Sequence, residues 1–366
     1  MQYIDTPAVI IDLKQTERNL QKFQGYADEN NITLRPHIKT HKIPRFAKMQ
    51  LEFGAKGICC ATLGEAELMA ANGINDIFIA YTIVGKEKIE RLLTLGRQIR
   101  VVCGVDSITA AHQISDLAVA HEQIAEVRIE IDTGFQRAGV QPGEVLNFAK
   151  EVDMMPGLKI SGIYTFKSST LHGKSVLDLK ACAEEEGLLL KQIKDLLIEN
   201  GISIEEVSGG STPTGRYVAQ CDGITELRAG TYIFNDRPKL IQGVATVDEC
   251  SAVVKVTVVS TPTPDRAIID GGSKIFSGDT KTDTPPLNMH GYGYVIGNEN
   301  LVFDHMSEEH GVLISKVGLT NLKINDVLYI IPNHICTTMN LCNYVYIKEK
   351  DGTYTKTFVE GRGLFN

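Results

Sequence analysis

The chain has 366 residues, and at about 150 residues per domain this length predicts two domains. Apolar residues make up 43% of the chain and charged residues 22%, which excludes a disordered, collagen-like or coiled-coil protein. The net charge of −8 comes without a basic block, so we expect no nucleic-acid partner.

No apolar run reaches the length of a membrane span, so we expect no membrane partner. The opening MQYIDTPAVI lacks the basic start and long apolar region of a secretory signal. The eight cysteines are scattered, which is typical of reduced thiols in a cytosolic protein. We therefore expect a cytoplasmic location.

From residue 34 onward the sequence repeats a short apolar run, a turn and an amphipathic segment. Eight apolar runs are predicted as strands: 34–39, 57–62, 76–81, 99–105, 125–132, 158–166, 205–210 and 225–230. Apolar residues three and four apart predict helices between them, including Leu63–Ala71, Ile89–Leu95, Val145–Val152 and Leu177–Ile198. Buried strands joined by helices read as parallel βαβ units. Eight of them predict an α/β fold with a (β/α)₈ TIM-like barrel over residues 14–243.

After residue 243 the helical period disappears. Strand-like runs separated by Gly, Pro, Asn and Asp follow at 251–261, 266–273, 290–296, 310–318 and 326–333. They predict an antiparallel β domain over residues 244–366. The run at 6–13 precedes the barrel strands, so we expect it to pair with this second domain.

Lys39 ends the first predicted barrel strand, and reacting groups of such barrels lie at the carboxyl ends of the strands. Arg35, His37, His41 and Lys42 surround it in the sequence. Neighbouring cations favour the neutral amine that a Schiff-base lysine requires. A cationic strand end also makes a simple anion site, and at this point both interpretations stay open.

A Gly- and hydroxyl-rich segment, Ser208–Gly215, follows the seventh strand, and Gly230 and Thr231 follow the eighth. Glycines let backbone N–H groups approach an anion closely, and hydroxyls add donors. Phosphate sites in these barrels are often built from the loops after strands seven and eight. The pattern predicts a phosphate site, with an ordinary turn as the alternative.

His334 and Cys336 follow a strand of the second domain. If the segment is extended, these alternate side chains share one face and can bind one metal ion. A buried cysteine beside a hydrogen-bonded histidine is the alternative.

Seven segments spread over nearly the whole chain form a broader pattern: DTPAVIIDL (5–13), RPHIKTHK (35–42), GICCATLGEAE (57–67), EIDTGFQRAGV (130–140), SGGSTPT (208–214), ELRAGTYIF (226–234) and PNHICTTMN (332–340). Together they resemble the D-threonine aldolase/D-serine dehydratase family, which belongs to the alanine-racemase-like (fold type III) pyridoxal-phosphate enzymes. The resemblance implies a barrel followed by a β domain, pyridoxal phosphate, a divalent metal and a homodimer.

Carried over by position, the resemblance implies a role for each matching residue. Lys39 corresponds to the catalytic lysine that bonds the cofactor. Arg137 corresponds to the arginine on the cofactor's phenolate side, and Arg228 to the arginine facing its pyridine nitrogen. Tyr164 corresponds to a tyrosine that contacts the cofactor. The residues implied for the phosphate are Gly210, Ser211, Thr212, Gly230 and Thr231. His334 and Cys336 would bind the metal, and a soft thiolate favours zinc, with manganese as the competitor.

The implied activity is that of a lyase acting on D-β-hydroxy amino acids. Retro-aldol cleavage of a D-threonine-like substrate gives glycine and an aldehyde, whereas a D-serine/D-threonine dehydratase gives a keto acid and ammonia. Both use the same residues, and we favour the aldolase. An amino-acid racemase, which would leave the metal pair without a role, and a non-catalytic pyridoxal-phosphate carrier are further alternatives.

The segment 164–172, YTFKSSTLH, departs from the Gly-His or Cys-Gly pattern that relatives tend to carry after the sixth strand. Substrate is expected near this region, so the substrate side chain stays open. His37, His41 and His172 are the candidates for the general acid or base.

Overall fold

The computed structural model describes residues 3–366, and it contains two compact units. The barrel unit comprises Lys22–Lys39, Pro44–Gly230 and Gly363–Asn366. The β unit comprises the residues up to Gln21, Thr40–Ile43 and Thr231–Arg362. The chain thus changes unit at five points, after Gln21, Lys39, Ile43, Gly230 and Arg362. The sequence analysis expects divisions after residues 13 and 243. Within residues 3–366, the helices are all too short or too polar to cross a membrane.

The strands, numbered in chain order, are β1 (Ala8–Asp12), β2 (Thr33–Leu34), β3 (Ile58–Cys60), β4 (Asp76–Thr82), β5 (Arg100–Val105), β6 (Ala125–Ile131), β7 (Leu158–Thr165), β8 (Thr170–Leu171), β9 (Lys174–Ser175), β10 (Glu206–Gly209), β11 (Glu226–Leu227), β12 (Ala252–Thr263), β13 (Arg266–Ile269), β14 (Gly293–Val295), β15 (Leu301–Met306), β16 (Gly311–Ser315), β17 (Val327–Pro332), β18 (Tyr344–Lys348) and β19 (Tyr354–Phe358).

The α-helices are α1 (Leu13–Asp28), α2 (Pro44–Glu52), α3 (Leu63–Ala71), α4 (Lys86–Gly96), α5 (Ile108–Ala120), α6 (Val145–Asp153), α7 (Leu179–Glu199), α8 (Gly215–Val218), α9 (Arg237–Ile241), α10 (Ser273–Phe276) and α11 (Ile335–Leu341).

Eight parallel strands form the sheet of the barrel unit, in the order β2, β11, β10, β7, β6, β5, β4 and β3. An isolated parallel bridge between His37 and Cys59 joins the two ends of this curled sheet. The connections between successive strands contain α2 to α8. The predicted (β/α)₈ barrel is therefore confirmed.

Helix ends in the barrel unit follow local capping chemistry. The side chain of Thr62 accepts the N–H of Glu65 at the start of α3, and Asp178 accepts the N–H of Ala181 at the start of α7. Such caps satisfy backbone donors that the first turn leaves unpaired. Gly73 follows α3 with a φ of 88°, a left-handed conformation that glycine adopts without steric cost.

The first barrel strand is shorter than predicted, and this changes the position of Lys39. β2 covers only Thr33–Leu34, and residues Ile38–Thr40 form a 3₁₀ turn. Pro36 has no N–H to contribute to a ladder, although its carbonyl accepts the N–H of Cys59. Lys39 therefore lies in a tight turn beyond the strand instead of on its last residue.

A network of buried ion pairs lies inside the barrel. Glu226 Oε2 lies 2.7 Å from Arg35 Nε, and Glu226 Oε1 lies 2.6 Å from Arg128 Nη1. All three side chains are fully buried. Burial raises the pKa of Glu226, but the two guanidinium groups outweigh burial and hold that pKa well below its usual range. Glu206 joins the network through Arg128 at 2.9 Å.

The sheet of the β unit runs in the order β15, β16, β13, β12, β1, β18 and β19, and β17 pairs with both β12 and β14. It is mostly antiparallel, as predicted. β1 lies in its interior, antiparallel to β12 and parallel to β18. The parallel pair departs from a purely antiparallel domain, because β1 and β18 reach the sheet from distant parts of the chain.

Candidate active site and metal pair

One cavity of about 610 Å³ in the barrel unit brings together four residues that the sequence analysis selected. They are Lys39, Arg137, Tyr164 and Arg228. The other polar and aromatic residues that line it include His37, Tyr81, Thr82, Asp106, Glu130 and Phe166. The cavity therefore combines an amine, two guanidinium groups, two carboxyl groups and aromatic rings.

The amine of Lys39 lies over an aromatic ring at the wall of this cavity. Its Nζ is 5.4 Å from the ring centroid of Phe166. The backbone N–H of Lys39 points toward Nδ1 of His37 at 3.4 Å. A lysine held at a cavity wall has the access that covalent bonding to a carbonyl compound requires.

The prediction that the positive charge of Arg35 acts on Lys39 is wrong, because that charge is already compensated. Its guanidinium is bound by Glu226 at 2.7 Å and by Asp76 at 2.6 Å, so its charge is compensated within the barrel network. Lys42 belongs to the β unit, where its Nζ donates to Asn340 Oδ1 at 3.0 Å. The sequence pattern placed these charges together because it could not show their partners.

Arg228 presents an unsatisfied donor in the same cavity. Its side chain is almost fully buried, and one terminal nitrogen donates to the carbonyl of Thr165. Nε of Arg228 is buried and has no hydrogen-bond partner within residues 3–366. Buried donors are usually paired, so an unpaired one beside a cavity indicates a ligand atom. Together with Lys39, this donor fits an aromatic cofactor that carries a carbonyl group and a ring acceptor.

Tyr164 and Arg137 converge on one buried carboxyl group. The hydroxyl of Tyr164 donates to Glu130 Oε2 at 2.8 Å, and Arg137 Nη2 lies 3.7 Å from Glu130 Oε1. Burial raises the pKa of Glu130 above its ordinary value, against the hydrogen bond from Tyr164. A Cβ at Gly104 would lie 2.1 Å from the Tyr164 hydroxyl, so this approach requires glycine. The guanidinium of Arg137 lies 5.0 Å from the ring centroid of Phe166.

The Gly-rich loop after β10 does not line the Lys39 cavity. Gly210 has a φ of 76°, and its N–H donates to Glu186 Oε1 at 2.6 Å. The hydroxyls of Ser211 and Thr214 lie 2.9 Å apart, and Thr212 is buried beside them. A phosphate role for this loop stays a prediction, and the N–H of Gly210 is already engaged by a carboxyl group.

The remaining two predicted phosphate residues belong to different units. Gly230 ends the barrel unit's segment Pro44–Gly230, and Thr231 begins the β unit's segment Thr231–Arg362. The hydroxyl of Thr231 lies 3.7 Å from Cys336 Sγ. Their backbone role toward a phosphate also stays a prediction.

The predicted metal ligands lie at the junction of β17 and α11, and the segment is not extended as expected. His334 is the N-cap of α11, and Cys336 lies in its first turn. The two side chains are nevertheless hydrogen-bonded to each other. The hydroxyl of Thr40, the residue after Lys39 in the chain, lies 3.3 Å from Cys336 Sγ. The start of a helix thus brings together two side chains that the sequence analysis expected to share a face if the segment was extended.

A carboxylate that the sequence analysis missed orients His334. Asp279 Oδ2 lies 2.5 Å from His334 Nδ1, and the hydroxyl of Thr337 donates to Asp279 Oδ1 at 3.1 Å. Burial lowers the pKa of His334, but Asp279 and Cys336 raise it to about 10. Burial raises the pKa of Cys336, but His334 and Thr40 lower it below its ordinary value.

These residues have the donor set of a metal site with few protein ligands. Across the described residues, no group of three or more His, Cys, Asp or Glu side chains is arranged to hold a metal ion. A histidine that donates its other ring nitrogen to a carboxylate is the usual arrangement beside a metal. The pair His334 and Cys336 therefore fits a metal whose remaining positions are filled by water or substrate.

Of the three candidate histidines for proton transfer, only His37 lines the Lys39 cavity. Nδ1 of His41 accepts the N–H of Ile43 at 3.0 Å in the β unit. His172 is exposed on the turn of the β8–β9 hairpin, where its Nδ1 pairs with Glu185 at 2.6 Å. The geometry thus singles out His37.

Three residues that contribute to these sites were missed by the sequence analysis: Glu130, Phe166 and Asp279. Glu130 begins the segment EIDTGFQRAGV, and its place at the end of a buried strand was an available signal. Phe166 belongs to the unusual segment 164–172. Asp279 lies in an irregular segment 55 residues before His334, and no local pattern marks it.

Two family models together match most of the chain. One, described as alanine racemase, N-terminal domain, matches residues 11–238. The other, described as a serine dehydratase domain, matches residues 251–348. The chain is 33% identical to a D-threonine aldolase of Arthrobacter sp., over 92% of this chain and 87% of that relative.

Solved structures show the same similarity. The D-threo-3-hydroxyaspartate dehydratase from Delftia sp. HT23 aligns at a TM-score of 0.88 with 30% identity over 97% of both chains. The D-threonine aldolase from Filomicrobium marinum aligns at 0.86 with 28% identity, over 99% of this chain and 96% of that one. A variant of a D-threo-3-hydroxyaspartate dehydratase has been solved in its metal-free form.

Proposed function

The chain belongs to the pyridoxal-phosphate-dependent lyase family of the D-threonine aldolases and D-serine dehydratases, and we propose that it cleaves D-threonine-like β-hydroxy amino acids to glycine and an aldehyde. The observation that carries the proposal is that one cavity is lined by both Lys39 and Arg228, and that Nε of Arg228 is unsatisfied. A pyridine aldehyde needs an amine to bond its carbonyl carbon and a buried hydrogen-bond donor for its ring nitrogen.

Pyridoxal phosphate, when bound, withdraws electrons from the bonds at the substrate α-carbon. Lys39 would hold it through Nζ, and Arg228 would donate Nε–H to its ring nitrogen. Because a guanidinium group has five N–H donors and no acceptor, Arg228 acts only as a donor there. Arg137 and Tyr164, braced by Glu130, would face the ring's oxygen side.

A divalent ion, when bound, supplies Lewis acidity to an oxygen of the substrate. His334 and Cys336 would hold it, with Asp279 fixing the ring orientation of His334. The thiolate is a soft ligand, which favours zinc over magnesium or calcium, with manganese as the competitor. Two protein ligands leave positions for water and for the substrate hydroxyl, as in catalytic rather than structural sites.

His37 is the residue that we assign to proton transfer at the substrate β-hydroxyl. It lines the cavity, and the backbone N–H of Lys39 points to its Nδ1. In neutral His37 with its proton on Nε2, Nδ1 keeps the lone pair that would take the β-hydroxyl proton, in place of its long contact of 3.4 Å with the N–H of Lys39. Removal of the β-hydroxyl proton leads to cleavage of the Cα–Cβ bond, whereas loss of the α-proton leads to dehydration.

Product analysis tests the proposal directly. The protein is supplied with pyridoxal phosphate and Zn²⁺ or Mn²⁺ and given D-threonine, with L-threonine as the stereochemical control. We expect glycine and acetaldehyde in equal amounts from the D isomer. A keto acid and ammonia without glycine would assign the chain to the dehydratases. Bound cofactor without turnover of any β-hydroxy amino acid would indicate a carrier.

Two further measurements test the cofactor and assembly parts of the proposal. Borohydride reduction followed by peptide mapping should place the pyridoxyl group on Lys39, and a label on Lys42 or Lys167 would overturn that assignment. We also propose a homodimer, by analogy with the family. Sedimentation that shows an active monomer at working concentration would contradict it.

A further inference from the structure

A buried carboxyl group supports the Gly-rich loop from behind. Glu186, on α7, is fully buried, and its Oε1 accepts the N–H of Gly210 at 2.6 Å. A Cβ at Gly209 would lie 2.7 Å from the same oxygen. The carboxyl group therefore occupies the space that a side chain at Gly209 would take, and it fixes the peptide of Gly210.

The second oxygen of this carboxyl group is unsatisfied. Oε2 of Glu186 is buried and has no hydrogen-bond partner in the part of the chain that the structure describes. A buried carboxylate needs all its oxygens paired, whereas a neutral carboxylic acid at the same place costs much less. The geometry by itself thus favours the protonated form.

The charged groups around Glu186 do not reverse this preference. Lys167 and Arg228 lie near it, but Lys167 is ion-paired with Glu185, and Arg228 donates to a backbone carbonyl. The neighbouring thiols are Cys182 and Cys221. Burial outweighs the two cations and raises the pKa of Glu186 to about 7.

We infer that Glu186 is a positioning residue for the Gly-rich loop and that it holds a proton while the loop carries the cofactor's phosphate. The inference rests on the proposed function, because it requires pyridoxal phosphate at this loop. A charged Glu186 and a phosphate dianion would repel each other, and a neutral Glu186 would not. Phosphate binding therefore raises the proton affinity of Glu186 and is accompanied by proton uptake.

This linkage has a definite sign. A group whose pKa is higher in the complex than in the free protein favours binding below its free pKa. Its contribution is lost as pH rises through the pKa of the complex. Cofactor affinity should thus decrease above neutral pH, by at most about tenfold per pH unit for one proton.

The test compares the dissociation constant of pyridoxal phosphate across about pH 6.5 to 9 in three proteins. In Glu186→Gln, the side-chain oxygen can still accept from Gly210, but the side chain does not titrate. Glu184→Gln is the matched control, because Glu184 is exposed on the same helix. Relative to wild type and Glu184→Gln, we expect Glu186→Gln to lose the alkaline decrease in affinity. Parallel curves for all three proteins, or a loss of affinity at every pH in Glu186→Gln, would overturn the inference.

A measurement on the unaltered protein covers the case in which Glu186→Gln does not fold. Calorimetry of cofactor binding in buffers of different ionisation enthalpy counts protons, and pyridoxal, which lacks the phosphate, is the reference ligand. More proton uptake with pyridoxal phosphate than with pyridoxal supports the inference, and equal uptake overturns it. If borohydride reduction leaves no pyridoxyl group on Lys39, the proposed function itself is contradicted.

Discussion

Replacing Asp279 with Asn isolates the contribution of one carboxylate to the metal pair. Nδ1 of His334 lies 2.5 Å from Asp279 Oδ2, while the hydroxyls of Ser277 and Thr337 donate to Oδ1 at 2.8 and 3.1 Å. Asn keeps an oxygen for both hydroxyls, but its NH₂ group cannot accept a hydrogen bond from His334. In the variant, Nδ1 becomes the acceptor, and the proton of neutral imidazole moves to Nε2.

That tautomer is the wrong one for a metal bound through Nε2. Loss of such an outer-shell partner typically weakens metal binding by about 10- to 100-fold, which corresponds to about 1.4 to 2.7 kcal/mol. We expect the Asp279→Asn variant to bind Zn²⁺ more weakly by a factor in this range. Competition with a chromophoric chelator at about pH 9, where the proton on His334 competes less with the metal, measures the change without relying on turnover.

Asp283→Asn is the matched control for this experiment. Asp283 lies in the same segment and pairs with a different histidine, His290, at 3.1 Å, where both side chains are exposed. The control removes the same charge and should leave Zn²⁺ affinity unchanged. An unchanged affinity in Asp279→Asn, or an equal loss in both variants, would refute the reasoning.

Three further predictions follow from charges described above. Because the pKa of His334 is raised to about 10, metal must displace its proton, and Zn²⁺ affinity should increase from about pH 6 to 9, by up to tenfold per unit. A flat profile in the chelator assay would contradict this. Glu226→Gln removes the buried carboxylate that Arg35 and Arg128 share, leaving them with Asp76 and Glu206, and should lower the free energy of unfolding by about 3–5 kcal/mol in urea denaturation. The half-exposed Glu126→Gln should lower it by at most about 1 kcal/mol, and equal effects would count against the network. Arg228→Met removes the donor beside Lys39 and should weaken pyridoxal-phosphate binding by about 10- to 100-fold in an absorbance titration; an unaltered dissociation constant would show that the donor faces no cofactor atom.

The barrel was predictable because local signals and the global fold agree. The helix Leu63–Ala71 was predicted with its observed bounds, since Thr62 caps its start and Gly73 follows its end. The strand at 34–39 was predicted too long, because apolar pattern does not register that Pro36 lacks an N–H. Polar edge strands such as β19 were missed, since their exposed Lys and Thr residues lack the apolar pattern.

The site was predictable only where residues lie near or just beyond the carboxyl ends of barrel strands. Lys39, Arg137, Tyr164 and Arg228 share a cavity because the carboxyl ends of parallel strands meet at one end of a barrel. The carboxylates that pair with the charged residues were not predictable, because only the tertiary structure brings them together. Asp279 and the carboxylates around Arg35 had no sequence pattern that linked them to the groups they bind.

The interior position of β1 affects how the β unit folds. Its register pairs Ala8 with Lys255 and Ile10 with Tyr346, so its partners are synthesised hundreds of residues later. Pairing over such separations slows folding, and unpaired strand edges are templates for aggregation. A fragment that begins after Asp12 would leave β12 and β18 with open edges. A peptide with the sequence of β1 should insert between them and restore the sheet by strand complementation.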